Sequence, residues 1–179
     1  MSNILKGTTC TVIGPMQHST DGREVRSSIA WDLAELGITM YDHYNKPFID
    51  SVKEDEEVHA KIKTWLKEEN YDAISERRKI RTFDLKLIDI SDFIIFHFTP
   101  DVLTCGSWEE FFWANRLKKP IFFINSKGKN TTPIWVFWTI PHKYIYSSVE
   151  DCIQRIKDID SGAHPIDSER WKLLKTEYR

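Results

Sequence analysis

Phe93-Ile94-Ile95-Phe96-His97-Phe98, then a polar loop from Thr99 to Cys105, then Gly106-Ser107-Trp108-Glu109-Glu110-Phe111-Phe112-Trp113-Ala114 is the stretch whose reading decides the fold. The first run is short, apolar and rich in aromatic and β-branched residues, which marks a buried strand. The last residues supply the apolar face of a helix that ends near Lys118-Lys119-Pro120, because proline cannot continue it. Another apolar run, Ile121-Phe122-Phe123-Ile124, follows at once. Strand, helix and strand in that order predict a parallel βαβ unit.

The same alternation extends outward. Thr9 to Ile13 reads as a first buried strand, and Gly14-Pro15-Met16 as a turn with little bulk at its first position, where backbone can approach a ligand. Val25, Ile29, Leu33 and Leu36 recur at helical spacing, Gly37 closes that helix, and Ile38 to Tyr41 forms the next strand. From Asp50 to Arg81 the chain is strongly charged, with Val58, Ile62, Trp65 and Leu66 in one apolar stripe, which predicts one long helix or two broken ones. Asp84 to Ile90 reads as a helix leading into Ser91-Asp92 and the strand at Phe93. The run Ile134 to Trp138 is expected to be the fifth strand. Ser147-Ser148-Val149-Glu150 resembles a capping box opening a helix through Ile159, and a last, partly charged helix is expected from Ser168. The expectation is one α/β domain over residues 1–179. It is three-layered, with a parallel sheet of about five strands and helices on both faces, in the Rossmann-like or flavodoxin-like manner.

Composition narrows the function classes. A chain of 179 residues with 41% hydrophobic content suits one substantial core. The formal charge of −2 argues against a nucleic-acid polymer or an anionic membrane as partner, since such binders carry a surplus of Lys and Arg. A small polar ligand fits better. Cys10, Cys105 and Cys152 are widely separated and show no paired spacing with His, so no metal site or disulfide framework is signalled, and reduced thiols in a cytoplasmic protein are expected. No stretch approaches the length of a membrane span.

The candidate chemistry is carried by carboxylates. In open α/β sheets ligands bind beyond the carboxyl ends of strands, and Glu109 and Glu110 stand there, on what reads as the first turn of a helix. Adjacent residues point about 100° apart on a helix, so the two cannot both enter one pocket and one is expected to face solvent. The plain alternative is helix-dipole stabilisation of about 0.3–1 kcal/mol, which needs no ligand. Asp84 reads by itself as an exposed helix charge, and Asp92 as a residue that satisfies backbone donors where its strand begins. His97, inside an apolar strand, is either a core histidine or a ligand contact at the strand's end. Ser19, Asp21, Arg23 and Arg26 sit where a sugar hydroxyl or phosphate meets a helix start, or in a solvated loop. Lys118 and Lys119 lie at a helix end that favours cations without any ligand.

Taken together, Val12-Ile13-Gly14-Pro15-Met16, Asp84 on a helix, Asp92 opening a strand, and Gly106-Ser107-Trp108-Glu109-Glu110 followed by Lys119-Pro120-Ile121 form a pattern. In this the chain resembles the nucleoside 2-deoxyribosyltransferase family, which also includes related nucleotide N-hydrolases. The resemblance spans roughly positions 9 to 125. It implies Glu110, four residues after Gly106, as catalytic nucleophile and Asp84 as the active-site aspartate of the helix. Gly14, Pro15, Met16, Ser19, Arg23, Asp92, Asp101, Gly106 and Ser107 complete the set as substrate-binding positions. Many members place an Asp two residues before the motif glycine, where this chain has Thr104, and Asp101 lies farther back. The implied reaction is cleavage of the N-glycosidic bond of a (deoxy)nucleoside or its 5′-monophosphate, through a glycosyl ester on Glu110 that passes to another base or to water. It implies no metal and no organic cofactor, a nucleoside or nucleotide as small-molecule partner, and a homo-oligomer. The alternative expectation is a nucleotide-sensing domain of the same fold without turnover.

Overall fold

The computed structural model describes residues 3–14, 22–44, 46–47, 56–102, 104–166 and 170–171. Five strands, β1 (Thr9–Ile13), β2 (Thr39–Tyr41), β3 (Phe93–Phe98), β4 (Ile121–Asn125) and β5 (Ile145–Tyr146), form one sheet in the order β2-β1-β3-β4-β5. Every pairing is parallel. The chain is therefore an α/β protein with the doubly wound order, in which the winding reverses between β1 and β3. Parallel neighbours cannot be joined by a tight turn, so the crossovers carry the helices α1 (Gly22–Glu35), α2 (Glu56–Lys67), α3 (Tyr71–Glu76), α4 (Lys79–Ile90), α5 (Cys105–Arg116) and α6 (Ile134–Thr139), and α7 (Val149–Asp160) follows β5.

Side chains alternate across the sheet, and each face has its own helical cover. Phe96 and Phe123, cross-strand partners with ring centroids 5.0 Å apart, meet Trp108 and Phe111 of α5. Thr11 shares a hydrogen bond with Ser91, whose hydroxyl donates to Leu87 O at the end of α4. On the opposite face Phe93 packs edge-on to Phe122 at 5.7 Å, and both meet Trp171. There α1 and α7 lie together, tied by Lys157 to Asp32 at 2.9 Å. Buried residues Ile29, Leu33, Ile153 and Ile156 fill that layer.

Two expectations change. The run Ile134–Trp138 is helix α6, and the fifth strand is Ile145–Tyr146. Pro133, at φ −55°, precedes the helix, and the residues buried from this segment are Val136 and Ile140, four apart, a helical period. An unbroken apolar run has no polar positions to reveal its period, so strand and helix looked alike in it. The cap of α7 falls one residue later than expected: Ser148 accepts from Asp151 N at 3.1 Å. The charged segment takes the second of its two expected forms: it is two helices, α2 and α3, broken at Glu69, whose φ of +55° is left-handed. The helix expected from Ser168 lies outside the described residues except for Arg170 and Trp171.

Gly14, at the carboxyl end of β1, has φ of +152°, and a Cβ there would stand 2.4 Å from the carbonyl oxygen of His97 in β3. The backbone of the turn thus crowds the neighbouring strand, which is the local reason for glycine. Arg26 of α1 is buried and donates to the carbonyls of Val12 and Gly14, so it holds this turn. Gly14→Ala is expected to lower unfolding free energy by about 2 kcal/mol or more, from the strained φ and the clash with backbone, read as a shift in denaturation midpoint.

Candidate functional site at the carboxyl edge of the sheet

α5 begins at Cys105, with Thr104 as its N-cap, so Glu109 and Glu110 fall in its second turn. The helix has no acidic residue in its first turn, and a dipole role for the pair is correspondingly weak. The 100° step separates the two as expected: the Glu109 side chain is 56% exposed and that of Glu110 6%. A carboxylate so buried needs partners, and α4 supplies them. Because α4 runs down toward the start of β3, its first turns reach the carboxyl edge of the sheet beside α5.

Arg81 of α4 spreads its guanidinium over the start of α5. Nε donates to Glu109 Oε2 at 2.7 Å, Nη1 to Glu110 Oε1 at 2.7 Å, and Nη2 to the Gly106 carbonyl at 3.0 Å. The same Nη1 lies 3.8 Å from Asp84 Oδ2, one helical turn along α4. Asp84 is buried, and Lys46 Nζ stands 3.1 Å from its Oδ1 while also donating to the His43 carbonyl at 2.8 Å. His43 closes the ring with Nε2 3.3 Å from Glu110 Oε1. An ionised carboxylate only accepts, so this contact assigns the Nε2 proton to His43. Both partners of Glu110 converge on Oε1, and among the described residues Oε2 takes no hydrogen bond.

Burial pushes the Glu110 carboxyl up, but His43 and Arg81 outweigh it and hold the group below its ordinary value. Burial works on Arg81 in the opposite sense and is likewise overcome, by Glu110 and Glu109, which raise it. His97 is lowered by burial and by nearby Arg26.

Asp84 and Glu110 are thus brought together, linked by Arg81. Gly106 is beside them through its carbonyl; a Cβ there would meet Arg81 Nη1 at an ordinary 3.6 Å, so space does not demand glycine. Ser107 is buried in the same turn of α5. Gly14 lies on the same edge of the sheet. Asp92 does not belong there: it opens β3 at the opposite end, accepts from Thr9 N at 2.7 Å and Thr9 Oγ1 at 3.0 Å, and so corrects the substrate-binding assignment to a structural one. Asp101 is exposed and paired with Lys127, with no contact to the carboxylate pair. Lys119 donates to the Asp89 carbonyl at 2.8 Å and to that of Ser91, closing the end of α4 rather than its own helix. Pro15, Met16 and Ser19 lie outside the described residues, as does the side chain of Arg23.

Three site residues carried no sequence signal strong enough to single them out. His43 and Lys46 follow β2 at its carboxyl end, and that position was their one available mark. Arg81 lay inside a long charged run. Two buried polar atoms near the start of α5 and the end of β2, Thr104 Oγ1 and His43 Nδ1, have no hydrogen-bond partner among the described residues. Among the same residues no group of His, Cys, Asp and Glu is placed to hold a metal ion, and no helix is long and apolar enough to cross a membrane.

The fold recurs among solved structures. A conserved protein from Enterococcus faecalis V583 is similar over 85% of this chain and 98% of its own, with a TM-score of 0.51 and 13% identity. At that identity the likeness concerns the α/β fold alone. No family model matches the sequence, and no curated protein does.

Arg81→Met is expected to remove the main cation from a buried carboxylate, at about 2–4 kcal/mol, below the upper range for buried pairs because Arg81 is 30% exposed. The sign with pH follows from Glu110 being more acidic folded than unfolded. Its contribution is complete above the ordinary value of 4.5 and is lost as pH falls through the lower folded value. Denaturation midpoints between pH 7 and 3 should therefore fall less steeply in Arg81→Met than in the parent.

Proposed function

We propose that the protein cleaves the N-glycosidic bond of a (deoxy)nucleoside or its monophosphate, with Glu110 as nucleophile. The observation that carries this reading is the asymmetry of the Glu110 carboxylate: Arg81 and His43 anchor Oε1, and Oε2 is left without a partner among the described residues. Such anchoring orients a nucleophile and keeps it ionised at neutral pH. Oε2 attacks C1′ of the sugar, the C1′–N bond breaks, and its electron pair leaves with the base, which takes up a proton. Asp84, held by Lys46, then holds a ligand hydroxyl or the departing base. Water or a second base attacks C1′ and gives up a proton to solvent, which balances the proton taken by the departing base, and the C1′–O bond to Glu110 breaks to release the carboxylate. His43 Nδ1 and Thr104 Oγ1 supply polar contacts left unused among the described residues.

Glu110→Gln keeps the shape and one hydrogen-bonding oxygen but weakens the nucleophile. Base release from a panel of deoxynucleosides and monophosphates is expected to fall on the order of 10³-fold or more, and the covalent sugar adduct seen by mass spectrometry in the parent should be missing. Equal rates in the two proteins would refute the mechanism.

The alternative, a sensor domain without turnover, is favoured by one observation: Thr104, where many members of the resembled family have an acid. Nucleotide binding by calorimetry with no base release under any condition would decide for it. Homo-oligomer formation belongs to the same proposal and is supported by α6, whose Trp135 and Trp138, ring centroids 5.0 Å apart, are both about two-thirds exposed. The double variant Trp135→Glu/Trp138→Glu is expected to elute from size exclusion with light scattering as a smaller species than the parent.

A further inference from the structure

Arg81 and Asp84 also line a second space, a cavity of about 420 Å³ bounded by α2, α3 and the start of α4. Lys63, Arg77, Arg78 and Arg81 bring four cations to it, and Asp84 brings a single carboxylate. Arg81 and Asp84 are engaged as described above. Lys63, Arg77 and Arg78 have no carboxylate within ion-pair distance among the described residues, and Arg77 lies over the Trp65 ring, 5.8 Å from its centroid. The segment is not short of acids: Glu57, Glu68, Glu69, Asp72 and Glu76 lie on or beside the same helices, yet Glu57 pairs with Lys61 on the surface instead. Like charges collected at one cavity repel one another unless an anion answers them. Ile62, Ile74 and Ile80 form an apolar part of the wall, which suits a ligand with an organic body rather than a bare ion.

We infer that this cavity is an anion subsite for a phosphorylated ligand, and that the substrate carries its phosphate there: a nucleotide rather than a free nucleoside. The inference rests on the proposed function, because the cavity shares Arg81 and Asp84 with the carboxylate cluster and so adjoins the site of bond cleavage. Guanidinium and ammonium groups form charge-assisted hydrogen bonds to phosphate oxygens, and Arg77 and Arg78 are both available for that purpose.

The test is calorimetric titration of the Glu110→Gln protein, which binds without turnover, with a deoxynucleoside, its 5′-monophosphate and inorganic phosphate. It is repeated in a background carrying Lys63→Ala and Arg78→Ala. Both side chains are exposed, and unchanged circular dichroism will show that the fold is kept. The monophosphate is expected to bind about tenfold or more tighter than the nucleoside, with the two cation substitutions abolishing that ratio and leaving nucleoside affinity unchanged. Inorganic phosphate should compete with the monophosphate. Equal affinity for nucleoside and monophosphate, or a ratio indifferent to Lys63 and Arg78, overturns the subsite. So does phosphate binding alongside the monophosphate, which would make the cavity a site for a separate anion. Base release by the parent is measured in parallel. A subsite that binds in a protein without turnover refutes the chemistry alone, and Glu110-dependent turnover of the monophosphate indifferent to the cations refutes the subsite alone.

Discussion

A buried carboxylate must be answered by charge or hydrogen bonds, and the constraint that Glu110 imposes organises one end of this molecule. Left alone in a low-dielectric setting it would take a proton or stay in water. Arg81 prevents both outcomes by reaching from α4 to α5 with three of its nitrogens, and His43 adds a contact from the end of β2. Two crossovers, β2 to β3 and β3 to β4, are tied together at the edge of the sheet by these two side chains. The planar fork is essential to that geometry, because a lysine has one nitrogen and could not engage Glu109, Glu110 and the Gly106 carbonyl at once.

The sheet order places this arrangement where a ligand is expected. β1 and β3 are neighbours although far apart in sequence, and their connections leave to opposite faces, opening a crevice beyond their carboxyl ends. Gly14 keeps the β1 turn close against β3, and Arg26 satisfies its carbonyls from below. The opposite edge is closed by different means. Asp92 accepts the amide and hydroxyl of Thr9, and Lys119 closes the end of α4, so these polar groups serve the fold.

Legibility in the sequence followed periodicity. β1, β3, β4, α1, α5 and α7 were readable because their apolar residues recur with a clear period or are bounded by glycine, proline or a cap. The run at Ile134 was misread because it is apolar throughout, and burial of Val136 and Ile140 alone shows its helical period. Of the site, the division between Glu109 and Glu110 followed from helix geometry. Asp84 was ambiguous, since a charge on an amphipathic helix looks the same whether it faces water or a buried lysine. His43, Lys46 and Arg81 were hidden among residues of the same kind, and for Asp92 the plain reading of a strand-entry residue held where the substrate-binding role implied by the family resemblance did not.

By itself the sequence determined the alternation of strand and helix, hence a parallel α/β sheet, and the fact that two adjacent glutamates cannot both point inward. Those properties are local: a period, a cap, a 100° step. Only the tertiary structure decided which charges meet. Arg81 and Glu110 are 29 residues apart and His43 and Glu110 67, and contacts at such separations depend on strand order, which no local pattern encodes. Among the described residues, Glu110 Oε2 without a hydrogen bond and the cations beside Asp84 without a carboxylate are consequences of that meeting, and they became visible only once the two crossovers were brought to one edge.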